Sequence, residues 1–98
     1  MASWTFLTNH SHVLLCISQN PSIRLGEIAE QVGITERTAF AIVADLVESG
    51  YLTKVRRGRR NEYEVHPELP FRHPLEQKAR IRALLGILEP GNSHQSPA

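Results

Sequence analysis

The stretch Leu25–Leu46 reads LGEIAEQVGITERTAFAIVADL and decides how this chain folds. Its apolar residues recur at helical spacing on both sides of Gly33, which predicts two helices joined by a tight turn. Gly33 supplies the positive φ that ends one helix and leads into the next. Thr35 is a good N-cap for the second helix, predicted over 35–49 with Gly50 as its stop. The predicted buried stripe of this helix, at i, i+3, i+4 and i+7, is Ala39, Ile42, Val43 and Leu46.

A basic hairpin follows at short range. The segment Lys54–Arg60 (KVRRGRR) holds five of the eleven Lys and Arg residues. Two antiparallel strands, Leu52–Arg57 and Asn61–Val65, are predicted around Gly58, although Leu52 is out of phase and predicts a later start or a bulge. A Lys/Arg strand opposite a Glu strand favours cross-strand ion pairs. The net charge is only +1, so the positive field is local, as a contact surface requires.

Two earlier helices complete the N-terminal half. The first is predicted from an N-cap at Asn9 to about Asn20, with Pro21 as its stop. Its apolar run Val13–Ile17 goes most of the way round a helix, which favours a second chain as part of its cover. The alternative is that one or two of these residues are simply exposed. The next helix is predicted over about Gly26–Val32, with no local cap to explain its start.

These segments together resemble a known class of proteins. In IAEQVGITERTAFAIVADLVESGYL and RRGRRNEYEV, the chain resembles the winged helix-turn-helix regulators of bacteria and archaea, in the broad MarR-like and ArsR-like group. The resemblance covers about Asn9–Pro67 and implies a mainly α fold with a small β-hairpin (α+β). It further implies that the 35–49 helix enters the major groove, that the hairpin is a wing on the DNA backbone or minor groove, and that the protein is a homodimeric regulator. The metal-sensing Cys motif of the ArsR-like group has no counterpart here.

The outward face of the 35–49 helix is the predicted reading surface. Arg37 is the best candidate for a base contact, bidentate to guanine, with a phosphate-bound or solvated arginine as the alternative. Phe40 and Ala41 could touch thymine methyl groups, and first-turn N–H groups can bind phosphate. Because this face has few hydrogen-bonding groups, it either reads DNA by shape and a few contacts or meets a protein instead. The predicted DNA-binding residues are Thr35, Glu36, Arg37, Thr38, Phe40, Ala41, Lys54, Arg56, Arg57, Arg59, Arg60 and Asn61.

The four wing arginines are the stronger signal. They occupy four of the five positions from Arg56 to Arg60, which solubility explains poorly. Guanidinium groups suit phosphates and narrow minor grooves, so phosphate contact is the favoured interpretation over a merely solvated face. Asn61 either adds a backbone contact or closes the turn.

The remaining segments flank a single small domain. They predict an N-terminal arm at 1–8, the winged helix-turn-helix domain at 9–66 with an optional short strand at Ile23–Leu25, an extended, stiff proline-rich connector at 67–74, a C-terminal dimerisation helix at 75–89 and a disordered tail at 90–98. A domain this small is marginally stable alone, which favours a second subunit. The predicted dimer interface is Trp4, Phe6, Leu15, Ile81, Leu84, Leu85 and Leu88.

Catalytic and metal chemistry finds little support in the sequence. Cys16 is the only cysteine, which excludes an intramolecular disulfide framework, and its apolar surroundings favour an inert thiol over a redox sensor. The histidines lack metal-ligand spacing on one helix face, and neither a phosphate-binding glycine loop nor a nucleophile–base pair is present. We therefore expect no enzyme, no metal and no cofactor. Without a long apolar span or a signal-peptide pattern, the expected location is the cytoplasm, at the nucleoid.

The sequence thus predicts a homodimeric transcriptional regulator that binds double-stranded DNA sequence-specifically. One alternative is a winged-helix protein-interaction module without DNA binding, and another is a non-specific architectural DNA-binding protein. A third is a ligand-gated regulator, although the chain is short for a sensor domain and nothing indicates an effector. No membrane partner is expected.

Overall fold

The computed structural model describes residues 4–88, and the chain divides into two units, Met1–Val65 and His66–Ala98. The first unit contains α1 (Asn9–Gln19), α2 (Leu25–Val32), α3 (Glu36–Glu48) and an antiparallel hairpin of β1 (Leu52–Arg57) and β2 (Arg60–Val65). The second contains α4 (Ile81–Leu85) and a 3₁₀ turn at Gly86–Leu88. This confirms the predicted mainly α fold with a small hairpin. The predicted tail at 90–98 lies outside the described residues.

Helix α1 is covered within a single chain. Val13, Leu14, Leu15 and Ile17 are all buried, because α2, α3 and β2 each contact this helix. The expectation that another chain completes this cover was therefore wrong. The predicted N-cap of α1, Asn9, was also wrong by one residue. Thr8 is the N-cap and accepts the N–H of Ser11 at 3.4 Å, whereas Asn9 is already helical.

The turn between α2 and α3 forms as predicted. Gly33 has a φ of +85°, and its N–H and that of Ile34 both donate to the carbonyl of Ala29, at 2.8 and 3.0 Å. Thr35 caps α3 by accepting the N–H of Thr38 at 3.0 Å. The predicted stripe of α3 is buried in full: Ala39, Ile42, Val43 and Leu46. Local sequence therefore orients α3 with one face inward and the opposite face outward.

One carboxylate caps the start of α2, and the loop before the helix is bonded to β2. Arg24 holds the N-cap position, where its donor-only side chain cannot cap, and the carboxylate of Glu27 accepts the Arg24 N–H at 3.0 Å. No strand forms at Ile23–Leu25. Instead, the Tyr63 N–H of β2 donates to the Pro21 carbonyl at 3.0 Å, which ties the loop before α2 to the hairpin.

The hairpin is regular from its first residue. The register runs without a bulge from Leu52 opposite Val65 to Arg57 opposite Arg60, and Leu52 is buried. The expected late start or bulge was therefore wrong, because burial of Leu52 overrides the alternation of apolar and polar residues along β1. The turn needs only two residues, and its positive φ of 63° falls on Gly58.

The predicted pairing of cations with carboxylates across the hairpin holds at one point only. The register places Glu62 opposite Val55 and Glu64 opposite Thr53, so neither carboxylate directly faces a cation. One diagonal ion pair forms, between Arg57 Nε and Glu62 Oε1 at 2.7 Å. The wing therefore keeps most of its positive charge without a cross-strand partner.

The second unit differs most from the sequence prediction. Residues 75–79 form turns and a bend instead of the first half of a helix, Arg80 forms an isolated β-bridge with Pro70, and the connector before them is folded rather than extended. Three backbone hydrogen bonds join the two segments: Phe71 N–H to Ala79 O, Ile81 N–H to Leu69 O, and Arg82 N–H to Pro67 O. Because these bonds use groups that a helix would need, the α-helix begins only at Ile81. The side chain of Arg82 also pairs with Glu68.

Candidate nucleic-acid interface

The outward face of α3 carries one cation and several apolar side chains. Arg37, Phe40, Ala41 and Ala44 are all exposed, and Phe40 is 61% accessible despite its size. A large aromatic ring at the surface of a helix is available for contact with a base methyl group or a partner protein.

The first turn of α3 is partly occupied by its own cap. The Thr35 hydroxyl accepts the Thr38 N–H and donates to the Thr38 hydroxyl, both at 3.0 Å. Two N–H groups, those of Glu36 and Arg37, precede the first helical hydrogen bond and have no acceptor within the helix. The Glu36 carboxylate lies over Gly26 at the start of α2: its Oε2 is 3.1 Å from where a Cβ on Gly26 would stand.

The wing cations differ in how far they are already engaged. Arg57 pairs with Glu62, and Arg56 Nε donates to the Gly58 carbonyl at 3.1 Å. Arg60 Nη2 donates to a carbonyl of the loop before α2, that of Ser22, at 3.4 Å. Within residues 4–88, Lys54 and Arg59 have no ion-pair partner and no side-chain hydrogen bond. These two cations are the least engaged of the wing.

A cleft joins α3 to the wing. We call it the reading cleft; it has a volume of about 480 Å³ and is lined by Leu25, Phe40, Val43, Ala44, Val47, Glu48, Lys54, Asn61 and Tyr63. Since residues of the exposed α3 face and of both wing strands line the same cleft, these elements border one surface. The predicted site residues Phe40, Lys54 and Asn61 meet here, whereas Glu48 adds a carboxylate that would repel phosphate.

A second cavity lies between the loop before α2 and the turn end of the wing. This loop–wing cavity has a volume of about 280 Å³ and is lined by Ser22, Ile23, Arg24, Leu25, Arg59, Arg60, Asn61 and Tyr63. Sequence reasoning missed Ser22 and Arg24, which stand far from the wing along the chain. The available signal was Arg24 itself, a lone cation ahead of an acidic stretch.

Two titratable groups of the first unit respond to burial. Partial burial raises the pKa of the Tyr63 phenol, which borders both cavities and therefore stays neutral at physiological pH. Burial likewise raises the pKa of the Cys16 thiol, whose Sγ donates to Gln31 Oε1 at 3.4 Å. Both groups are therefore neutral at physiological pH.

The predicted dimer residues fall into two groups. Leu15, Ile81 and Leu84 are already buried in the single chain, and Leu85 is half-buried. Trp4 and Phe6 are 67% and 92% exposed, and their rings meet edge to face with centroids 5.0 Å apart. Leu88 is also exposed. Only the exposed group is free to add substantial buried area on association.

The part of the chain at 4–88 shows no group of three or more His, Cys, Asp or Glu side chains placed to hold a metal ion. Over the same residues, every helix is too short or too polar to cross a bilayer.

The arrangement of α2, Gly33, α3 and the wing has a direct counterpart among known proteins. The model of the MarR family matches residues 8–59, which is more than half of the chain. The chain belongs to the MarR family. As a MarR-family protein, it is a winged-helix transcriptional regulator of a DNA-binding family, which confirms the resemblance inferred from the helix-turn-helix and wing segments.

Among solved structures, this MarR-family chain is similar to the PcaV transcriptional regulator from Streptomyces coelicolor, whose crystal structure contains its natural ligand. The TM-score is 0.52 at 21% sequence identity, over 97% of this chain and 71% of that chain. A likeness at this identity supports the winged-helix fold alone. No curated protein matches the sequence significantly.

Proposed function

We propose that this MarR-family chain is a homodimeric regulator that binds double-stranded DNA sequence-specifically. The observation that carries the proposal is the reading cleft, which the exposed face of α3 and both wing strands line together. A duplex laid against that surface meets a helix that fits the major groove and a cationic hairpin beside it.

The two elements divide the work of recognition. Arg37, in the first turn of α3, is the candidate for base readout, and Phe40 and Ala41 offer apolar contact to thymine methyl groups. Lys54, Arg59 and Arg60 supply phosphate contacts that position the duplex without reading it. Because Glu48 would repel phosphate, we expect the DNA backbone to pass nearer Lys54 than Glu48 where the duplex meets the reading cleft.

Association of two chains would complete the site. Of the predicted interface residues, Trp4, Phe6 and Leu88 are exposed apolar side chains that a partner chain could cover, and Leu85 is half-buried. A twofold dimer sets two α3 helices about 34 Å apart, one helical turn of DNA, so the operator is expected to be an inverted repeat. The expected location is the cytoplasm, on the nucleoid.

The experiment is selection of bound duplexes from genomic fragments, followed by fluorescence anisotropy on the selected site and on random sequence, with the oligomeric state measured by analytical ultracentrifugation. We expect one enriched inverted repeat, bound at least 10³-fold more tightly than random DNA, and a dimer. Equal affinity for both sequences would indicate an architectural DNA binder. No binding to any duplex would indicate a protein-interaction module that uses Phe40 and Ala41.

A further inference from the structure

The loop–wing cavity concentrates positive charge from two distant parts of the sequence. Arg24 comes from the loop before α2, whereas Arg59 and Arg60 come from the wing. Ser22, Asn61 and the Tyr63 side chain add polar groups to the same lining. All of these residues belong to the first unit of the chain.

Little within the described chain competes for these cations. Over residues 4–88, none of Arg24, Arg59 and Arg60 makes an ion pair, and Arg60 gives a single long hydrogen bond to the Ser22 carbonyl. The Glu27 carboxylate accepts the Arg24 backbone N–H and does not line the cavity. The guanidinium groups therefore remain available to an external anion.

The walls of the cavity are fixed to one another. The Tyr63 N–H donates to the Pro21 carbonyl at 3.0 Å, and the Ser22 hydroxyl donates to Glu62 Oε2 at 3.0 Å. The other oxygen of Glu62 is held by Arg57, so this carboxylate is already satisfied on both sides. The loop before α2 and the wing strand thus form a braced frame, which reduces the entropy lost when an anion binds.

Size and charge select the class of ligand. A volume of about 280 Å³ lies below the roughly 300–1,000 Å³ of sites for drug-sized ligands, so a single small anion suits it better than a nucleotide. Arginine forks match phosphate oxygens in a bidentate geometry. We propose that the loop–wing cavity is a phosphate subsite that takes one phosphodiester group of the DNA backbone, with Arg24 supplying a cation from outside the wing. The proposal rests on DNA binding as the function of the neighbouring reading cleft.

The test compares salt dependence in three single variants of the full chain. Arg24→Ala removes one phosphate contact per chain and two per dimer, so the slope of log affinity against log salt should fall by about 1.8, with an affinity loss of roughly 60-fold at 0.1 M salt. Arg24→Lys keeps the charge and should keep the slope. Arg72→Ala removes an equal charge from an exposed residue that does not line the cavity, and should match the wild type. Circular dichroism checks that each variant folds.

A slope for Arg24→Ala equal to that of the wild type, or a loss shared by Arg72→Ala, would overturn the subsite while leaving DNA binding intact. Failure of the wild type to bind any duplex would instead defeat the proposed function and, with it, the backbone contact.

A second experiment distinguishes a phosphate group of DNA from a free phosphate ion. Thermal unfolding of DNA-free protein is measured in inorganic phosphate and in chloride of equal ionic strength. Stabilisation by phosphate that Arg24→Ala abolishes, with no change in salt slope, would assign the cavity to a free phosphate and refute the backbone contact.

Discussion

Replacing Gly33 with alanine tests how much of the helix-turn-helix geometry depends on one backbone angle. Gly33 has a φ of +85°, and a Cβ built on it has no heavy atom within 4 Å. The substitution therefore creates no clash, and its whole effect comes from backbone conformation. The change in the free energy of unfolding can therefore be worked out from backbone terms alone.

Two terms set the expected size. Holding an L-residue in the left-handed region is unfavourable by about 1–2 kcal/mol. Alanine also restricts the unfolded chain relative to glycine, which returns about 0.4–1 kcal/mol. We expect a net loss of about 1 kcal/mol in the free energy of unfolding, and a melting temperature lower by about 4–8 °C for a domain of this size. Gly33→Asn should lose less, because asparagine visits this region more readily.

The assay is thermal and urea unfolding followed by circular dichroism, with Gly26→Ala as the matched control. Gly26 lies inside α2, where alanine is favoured over glycine by up to about 1 kcal/mol. A Cβ there meets only the flexible end of Glu36, at 3.1 Å. We expect Gly26→Ala to be neutral or stabilising. Equal melting temperatures for Gly33→Ala and the wild type, or equal losses in the two variants, would refute the assignment of the effect to positive φ.

Four other outcomes follow from the structure. Ile17→Ala should lower the free energy of unfolding by about 2–5 kcal/mol in urea titrations, because this side chain is fully buried; a loss below 1 kcal/mol would mean that α1 is not part of the core. Arg37→Ala should relax discrimination at one base step in competition anisotropy, whereas an equal loss on all sequences would make Arg37 a phosphate contact. Folding raises the pKa of Tyr63 above its unfolded value near 10, so the contribution of this phenol to the free energy of unfolding is full below pH 10 and is lost as pH rises through the folded pKa. Tyr63→Phe should therefore make the alkaline decline in stability shallower in urea titrations. The raised pKa of Cys16 should make its reaction with a thiol reagent at pH 7 slower than that of free cysteine, and urea should remove the difference.

The sequence located the elements whose signals are local. Gly33 and Thr35 predicted the turn and the start of α3, because a positive φ and a cap depend on residues that are neighbours in the chain. The stripe from Ala39 to Leu46 predicted which face of α3 is buried, because helical periodicity alone sets it. The arginines around Gly58 predicted the cationic wing for the same reason.

Other features depend on hydrogen bonds between segments that are distant in sequence. Residues 75–80 have good helix-forming composition, yet backbone bonds to the connector hold them in turns, a bend and a β-bridge. Arg24 is far from the wing along the chain, and three hydrogen bonds bring its loop there: Tyr63 N–H to Pro21 O, Ser22 hydroxyl to Glu62 and Arg60 to Ser22 O. The sequence by itself therefore determined the helix-turn-helix, the outward face of α3 and the charged hairpin, since each follows from spacing within one segment. The tertiary structure alone decided which cations are already paired and which share a cavity, because those properties depend on contacts between residues far apart in the chain.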